Sequence, residues 1–256
     1  MGILIGIQLI VIILFSLLGW AIRSQKNYWL ISGFVTRSMT EQEELIKNGY
    51  PKKTGSLLIY TGIGMLILLP LAFTSFPFVI EVQFGFMLIF LMGGFVYLSK
   101  FEVSGKRKRS FWISSTLFVV VLGFVSVLTY LGYEKYDLIV KDEEFEVTGL
   151  YGEVWQLEEI ETVELMEDMP EVTWKFNGFG LSTMSKGQFK VKGYGKSLLF
   201  IHKEAPYIYI RVNDQHIFLN GENPGETKKW YDDLSKNIDE VTGHKISSLH
   251  PETQIH

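Results

Sequence analysis

GQFKVKGYGKSLLFIHKEAPYIYIRV, residues 187–212, decides how the second half of this chain folds. Phe189 and Val191 alternate with Lys190 and Lys192, and Ile208, Ile210 and Val212 alternate with Tyr209 and Arg211. A period of two sends one set of side chains into a core and the other into water, as in half-buried strands. Phe145 and Val147 repeat the pattern against Glu144 and Glu146. Turn residues separate the runs: KDEE at 141–144, GYGK at 193–196, KEAP at 203–206 and VND at 212–214. About seven antiparallel strands fit before residue 220.

A helix follows the strands. In NPGETKKWYDDLSKNI, residues 223–238, Asn223 is a capping residue, Pro224 suits the first helical position and Glu226 stands three after the cap. Trp230, Tyr231, Leu234 and Ile238 then fall on one stripe.

The preceding half is of another kind. Four apolar runs, about 2–22, 55–75, 82–99 and 111–133, lack the polar face that a helix in water keeps. A bilayer core about 30 Å thick takes roughly 20 helical residues, so each run is long enough to span it. The first run has no basic residue ahead of it and LLGWAIRS offers no small-x-small cleavage site, so it reads as a retained helix. The expected organisation is a four-helix transmembrane domain at 1–133, a mainly-β domain at 134–240 and a polar tail at 241–256.

Cations resist translocation, so Lys and Arg in short loops set the orientation. Loop 23–54 carries Arg23, Lys26, Arg37, Lys47, Lys52 and Lys53; loop 99–110 carries Lys100, Lys106, Arg107, Lys108 and Arg109; loop 76–81 and the amino terminus carry none. The first and third loops are expected inside a bacterial cell membrane, and both termini, with the strand domain, outside.

No run has an interior Asp, Glu, Lys, Arg or His; Gln8, Tyr60, Thr61 and a few Ser and Thr are the polar groups read there. Ion paths and proton relays use ionisable groups at bilayer depth, which argues against a proton-coupled transporter or an intramembrane metalloprotease. Gly62, Gly64, Gly93, Gly94 and Gly123 allow close helix approach, and Gly2-x-x-x-Gly6 suggests a homo-oligomer contact. The absence of cysteine excludes disulfides and thiol chemistry, and a net charge of −4 argues against nucleic acid as a partner.

The first loop, NYWLISGFVTRSMTEQEELIKNGY, places Tyr28, Trp29 and Phe34 where a headgroup boundary would suit them, then offers Thr40 and Glu43 as a capping box for a short helix ending at Gly49. YWLISGF followed by a short acidic helix, after one span and before two more, resembles an uncharacterised membrane-protein family of Gram-positive bacteria over roughly residues 1–100. That family has no established reaction, so no catalytic residue is implied.

IETVELMEDMPEVTWKFNGFG, GQFKVKGYGKSLLFIH, PYIYI and IFLNGENPGETKKWYDDL together resemble the bacterial pleckstrin-homology-like (PH-like) family across residues 136–238. The resemblance implies a barrel closed by one carboxyl-terminal helix, and binding or assembly rather than catalysis. Phosphoinositide-binding members use basic residues around the first hairpin turn. Here that turn is Lys141, Asp142, Glu143 and Glu144, which argues against an anionic headgroup there.

Charge is segregated along this domain. Residues 134–171 hold two Lys and fourteen acids, whereas 172–203 hold six Lys and no acid. Two readings are open: solvated sides of successive strands that happen to differ, or a basic face of Lys175, Lys186, Lys190, Lys192 and Lys196 for an anionic partner. Trp174 and Phe176, in an expected WKFNGFG loop, are the alternative anchor for a peptide or the membrane surface.

Nothing else assembles into a reaction. His244, His250 and His256 stand six apart in the tail, a spacing that fits no common metal motif; NGFG and KGYGK read as turns; Glu158 and Glu159 are expected on opposite sides of a strand. The expectation is a non-enzymatic multi-pass membrane protein, without metal or cofactor, whose outer domain binds a protein, peptide or envelope ligand. The alternative is an immunity or resistance protein against a membrane-active peptide.

Overall fold

The computed structural model describes residues 2–249, and these fall into two compact units that meet between Val127 and Leu128. In the first, α1 (Gly2–Arg23), a short α2 (Met39–Lys47), α3 (Tyr50–Leu68) and α4 (Val79–Leu98) precede α5 (Arg107–Tyr133), whose last turns belong to the second unit. Four of these helices, all but α2, are long and apolar enough to cross a membrane.

The closest helix pair is α1 with α3, and glycine makes it so. A Cβ on Gly19 would lie 2.6 Å from the Gly55 carbonyl oxygen, and one on Gly55 would lie 2.7 Å from that of Gly19. Backbones in lipid approach this closely only where side chains are absent. Gly6 of the Gly2-x-x-x-Gly6 pattern meets no heavy atom of its own chain within 4 Å. Thr61 is fully buried and satisfies its hydroxyl on the Leu57 carbonyl at 2.8 Å. Gln83 is a further buried polar group, overlooked in the third apolar run; its Nε2 donates to the Leu68 carbonyl at 3.1 Å.

The loops at 24–49 and 99–106 pack into one cap. Ile22, Ile31, Phe34, Leu45 and Val103 form its apolar floor. Over them Arg37 donates through both terminal nitrogens to the Glu102 carboxylate, at 2.7 and 2.9 Å, and Glu102 is 4% exposed. Glu102 also accepts from the Val103 N–H, and its carbonyl accepts from Asn48 Nδ2 and Arg107 Nε. Helix α2 starts two residues earlier than expected. Ser38, extended at φ −60° and ψ 153°, caps it by accepting from the Glu41 N–H, which leaves Thr40 inside the helix. Gly49 ends the turn at φ +80°, a conformation that glycine adopts without strain.

Among the described residues the second unit holds nine strands where about seven were expected. β1 (Leu138–Val140), β2 (Glu144–Val147) and β3 (Val154–Gln156) form one antiparallel sheet. β4 (Ile160–Met166), β5 (Val172–Gly180), β6 (Met184–Val191), β7 (Gly195–His202), β8 (Tyr207–Val212) and β9 (Gln215–Leu219) form a second, in the order β4-β8-β9-β7-β6-β5. One pairing departs from the antiparallel expectation: β7 and β9 run parallel, since β8 carries the chain back between them. Helix α6 (Pro224–Leu249) completes a PH-like arrangement. Asn223 caps it through Oδ1 and the Glu226 N–H at 3.0 Å, as its sequence implies.

Both faces of the large sheet are buried. Phe200, Ile208, Ile210, Ile217 and Leu219 meet Phe145 and Trp155 and the Trp230–Leu234 stripe of α6. The other face carries Phe189, Val191, Leu199, Tyr209 and Phe218. A flat sheet would set β4 and β5 five strand spacings apart, about 24 Å. The chain between Met166 and Val172 spans six Cα steps, about 22 Å at most. The sheet therefore curls, and the curl lets the second cluster bury itself without a covering helix. Glu158 and Glu159, expected on a strand, lie in a 3-10 turn at Leu157–Glu159.

Candidate ligand-binding face

WKFNGFG is not a loop. It belongs to β5, an edge strand that among the described residues pairs with β6 alone. Register shifts between Val172 and Trp174 and between Lys175 and Asn177 break its period of two, which hid it as a strand. Residues 172–177 are all exposed; Trp174 is 65% and Phe176 53% accessible.

Cross-strand register sorts the five lysines. Trp174 stands opposite Lys190, and Lys190 opposite Lys196, so one row across β5, β6 and β7 presents an indole and two ammonium groups. Lys175 stands opposite Phe189 and so belongs to the other face. Lys192, in the turn after β6, is engaged by Glu171 at 3.0 Å. Lys186 contradicts the expectation of a surface cation: it is fully buried, and its Nζ donates to the Glu134 carbonyl. Alternation failed there because the neighbouring face is also interior. Burial pushes the Lys186 ammonium below the ordinary lysine range, partly offset by the Glu134 carboxylate.

Among the described residues Lys175, Lys190 and Lys196 form no ion pair. Lys196 also borders a cavity of about 490 Å³ on the row's face, with Gln188, Ser197, Gln215 and Trp155 around it. The Trp155 indole donates to Gln215 Oε1 at 3.0 Å, which holds one wall. The site therefore combines a free strand edge, exposed aromatic rings, two adjacent unpaired cations and a polar cavity beside them. These groups offer main-chain hydrogen bonds, apolar contacts and positive charge on one surface.

In the first hairpin turn the cation is already engaged by carboxylates. Lys141 is held by Glu144 at 2.8 Å and lies 3.6 Å from Glu146, and hydrogen bonding to Glu144 raises its pKa. A second polar cluster, around His202, serves the fold. His202 stacks on Tyr136, and Glu222 pairs with Lys135 at 2.7 Å. The Glu226 carboxylate accepts from the Glu222 N–H at the start of α6. Asn220, fully buried and missed in the sequence, ties β7 to β9 by accepting from the His202 N–H at 2.7 Å. His250 and His256 lie outside the described residues, as does the side chain of His244; among the described residues no cluster of three or more metal-ligating side chains occurs.

Comparison with known families matches residues 9–102 to a Domain of unknown function (DUF3784) and residues 136–234 to the Bacterial PH domain. The two matches fall where the two resemblances were read. Neither the curated proteins nor the solved structures yielded a match.

Proposed function

We propose that this membrane protein presents its PH-like unit outside the cell, where it binds an acidic, extended peptide or protein segment along β5 without catalysing a reaction. The observation that carries the reading is β5 itself. A nine-residue edge strand with Trp174 and Phe176 exposed, beside unpaired Lys190 and Lys196, supplies main-chain partners, apolar anchors and charge. Edge strands left this open invite pairing with another chain. The orientation rests on the eleven cations of the first and third loops. A role in envelope sensing or assembly is the setting in which such a module would act.

The test uses the full chain in nanodiscs of neutral lipid and a fluorescent peptide of alternating Glu and Val. Saturable binding is expected, weakening steeply as salt shortens screening to about 8 Å at 0.15 M. The variant Trp174→Ala/Lys190→Glu/Lys196→Glu should melt like the wild type and bind on the order of tenfold more weakly or worse. Equal binding by wild type and variant would remove the β5 face from consideration. A second reading, resistance to a membrane-active peptide, is favoured by the fourteen acids against two Lys at 134–171. A cationic amphipathic peptide that binds where the acidic one does not would decide for it.

A further inference from the structure

The helical unit carries a groove of about 690 Å³, framed by α3 and α4 with the end of α1 at its mouth. Its composition is graded. Arg23, Lys52 and Lys53 stand at one end; Leu57, Ile89 and Phe90 line the body. Lys52 and Tyr60 mark its extent along α3, eight residues or about 12 Å of helix rise. One leaflet contributes about half of a 30 Å hydrocarbon core, so the groove runs close to one leaflet deep.

Glycine keeps the groove open. Gly93 lines it, and a Cβ there would meet no heavy atom within 4 Å. The cations at the mouth are uncommitted: Arg23, Lys52 and Lys53 form no ion pair among the described residues, although Lys53 lies 5.6 Å from the centre of the Phe101 ring. Ordinary bilayer lipid would wet any apolar helix face. Three unpaired cations above an apolar slot of leaflet depth select one kind of lipid from that solvent.

We infer that this groove is a binding site for an anionic phospholipid, its phosphate held by Arg23, Lys52 and Lys53 and one acyl chain lying along α3 and α4 past Gly93. The site is independent of β5 and of the orientation proposed for the strand domain, because headgroup and cations share one leaflet in either case.

The experiment is native mass spectrometry of the full chain in detergent, with dioleoylphosphatidylglycerol and dioleoylphosphatidylcholine added in equal amounts. Retention of the anionic lipid should exceed that of the zwitterionic lipid by on the order of a hundredfold, since each of the three cations favours an anionic headgroup by about fivefold. Arg23→Gln/Lys52→Gln/Lys53→Gln should erase the preference. Gly93→Leu, which fills the slot and favours the helix, should lower retention of the anionic lipid while leaving the melting temperature at or above that of the wild type. Equal retention of the two lipids by the wild type would overturn the inference. So would undiminished anionic-lipid retention by Gly93→Leu.

Discussion

The cap over the helical unit and the β5–β7 face of the strand unit are both rich in cations, and they use them in opposite ways. In the cap, Arg37 meets Glu102 in a two-pronged bond, Lys106 pairs with Glu41 and Arg107 reaches the Glu102 carbonyl. On the strand face Lys190 stands opposite Lys196, like charge against like. Paired cations there build structure; unpaired ones leave a surface that an anion would complete. Counting Lys and Arg alone does not separate the two cases, since loop 23–54 and residues 172–203 hold six each. The carboxylate that distinguishes them, Glu102, lies sixty-five residues from its partner.

The comparison breaks first at Glu102. Glu102→Gln keeps the shape and removes the charge that holds Arg37, leaving the guanidinium against a neutral amide. Stability should fall by about 2 to 4 kcal/mol, read as a lowered melting temperature of the full chain in detergent. An unchanged melting temperature would mean that the cap does not depend on the pair.

Lys186 sharpens the comparison, because it is buried with a carbonyl rather than a carboxylate. Its folded pKa lies below the ordinary value of 10.5 through burial. The protonated form is therefore disfavoured in the fold, and its full cost is present below the folded pKa. As pH rises through that pKa toward the unfolded one, the cost disappears and stability should increase. Lys186→Met should flatten this alkaline rise. At pH 7 it should stay within about 1 kcal/mol of wild type, since the lost hydrogen bond is offset by relief of a buried charge. Urea unfolding at pH 7 and at alkaline pH checks both statements.

The smallest effect belongs to the strand row. Lys196→Glu turns a repulsive cross-strand pair with Lys190 into an attractive one, so stability should rise by about 0.2 to 1 kcal/mol while acidic-peptide binding weakens. A change that stabilises the fold and harms binding is what a site maintained for a ligand predicts. A loss of stability would show that Lys196 already serves the fold.

Much of the fold was legible because hydrophobic period is a local property. The four spans, the alternation of β6 and β8, and the Asn223 cap needed only neighbouring residues. What escaped depended on long-range geometry. Lys186 read as a surface residue because alternation assumes one wet face, and the curled sheet has two dry ones. The sequence around Trp174 and Phe176 has the pattern of a loop because two register shifts erase the period of β5. Within the candidate site, the Trp174–Lys190–Lys196 row required strand pairing, which no spacing along one strand encodes. The Gly19–Gly55 approach was missed for the same reason, since its two glycines lie on different helices.

The most direct test asks on which side each region stands. The chain has no cysteine, so single reporters are unambiguous. Lys47 on α2 and Lys236 on α6 are both exposed and serve as positions for them. In intact cells, Lys236→Cys should react with a membrane-impermeant maleimide and Lys47→Cys should react only after lysis. Labelling of Lys47→Cys in intact cells, with Lys236→Cys protected, would place the paired cations outside and the strand face inside, and would contradict the account.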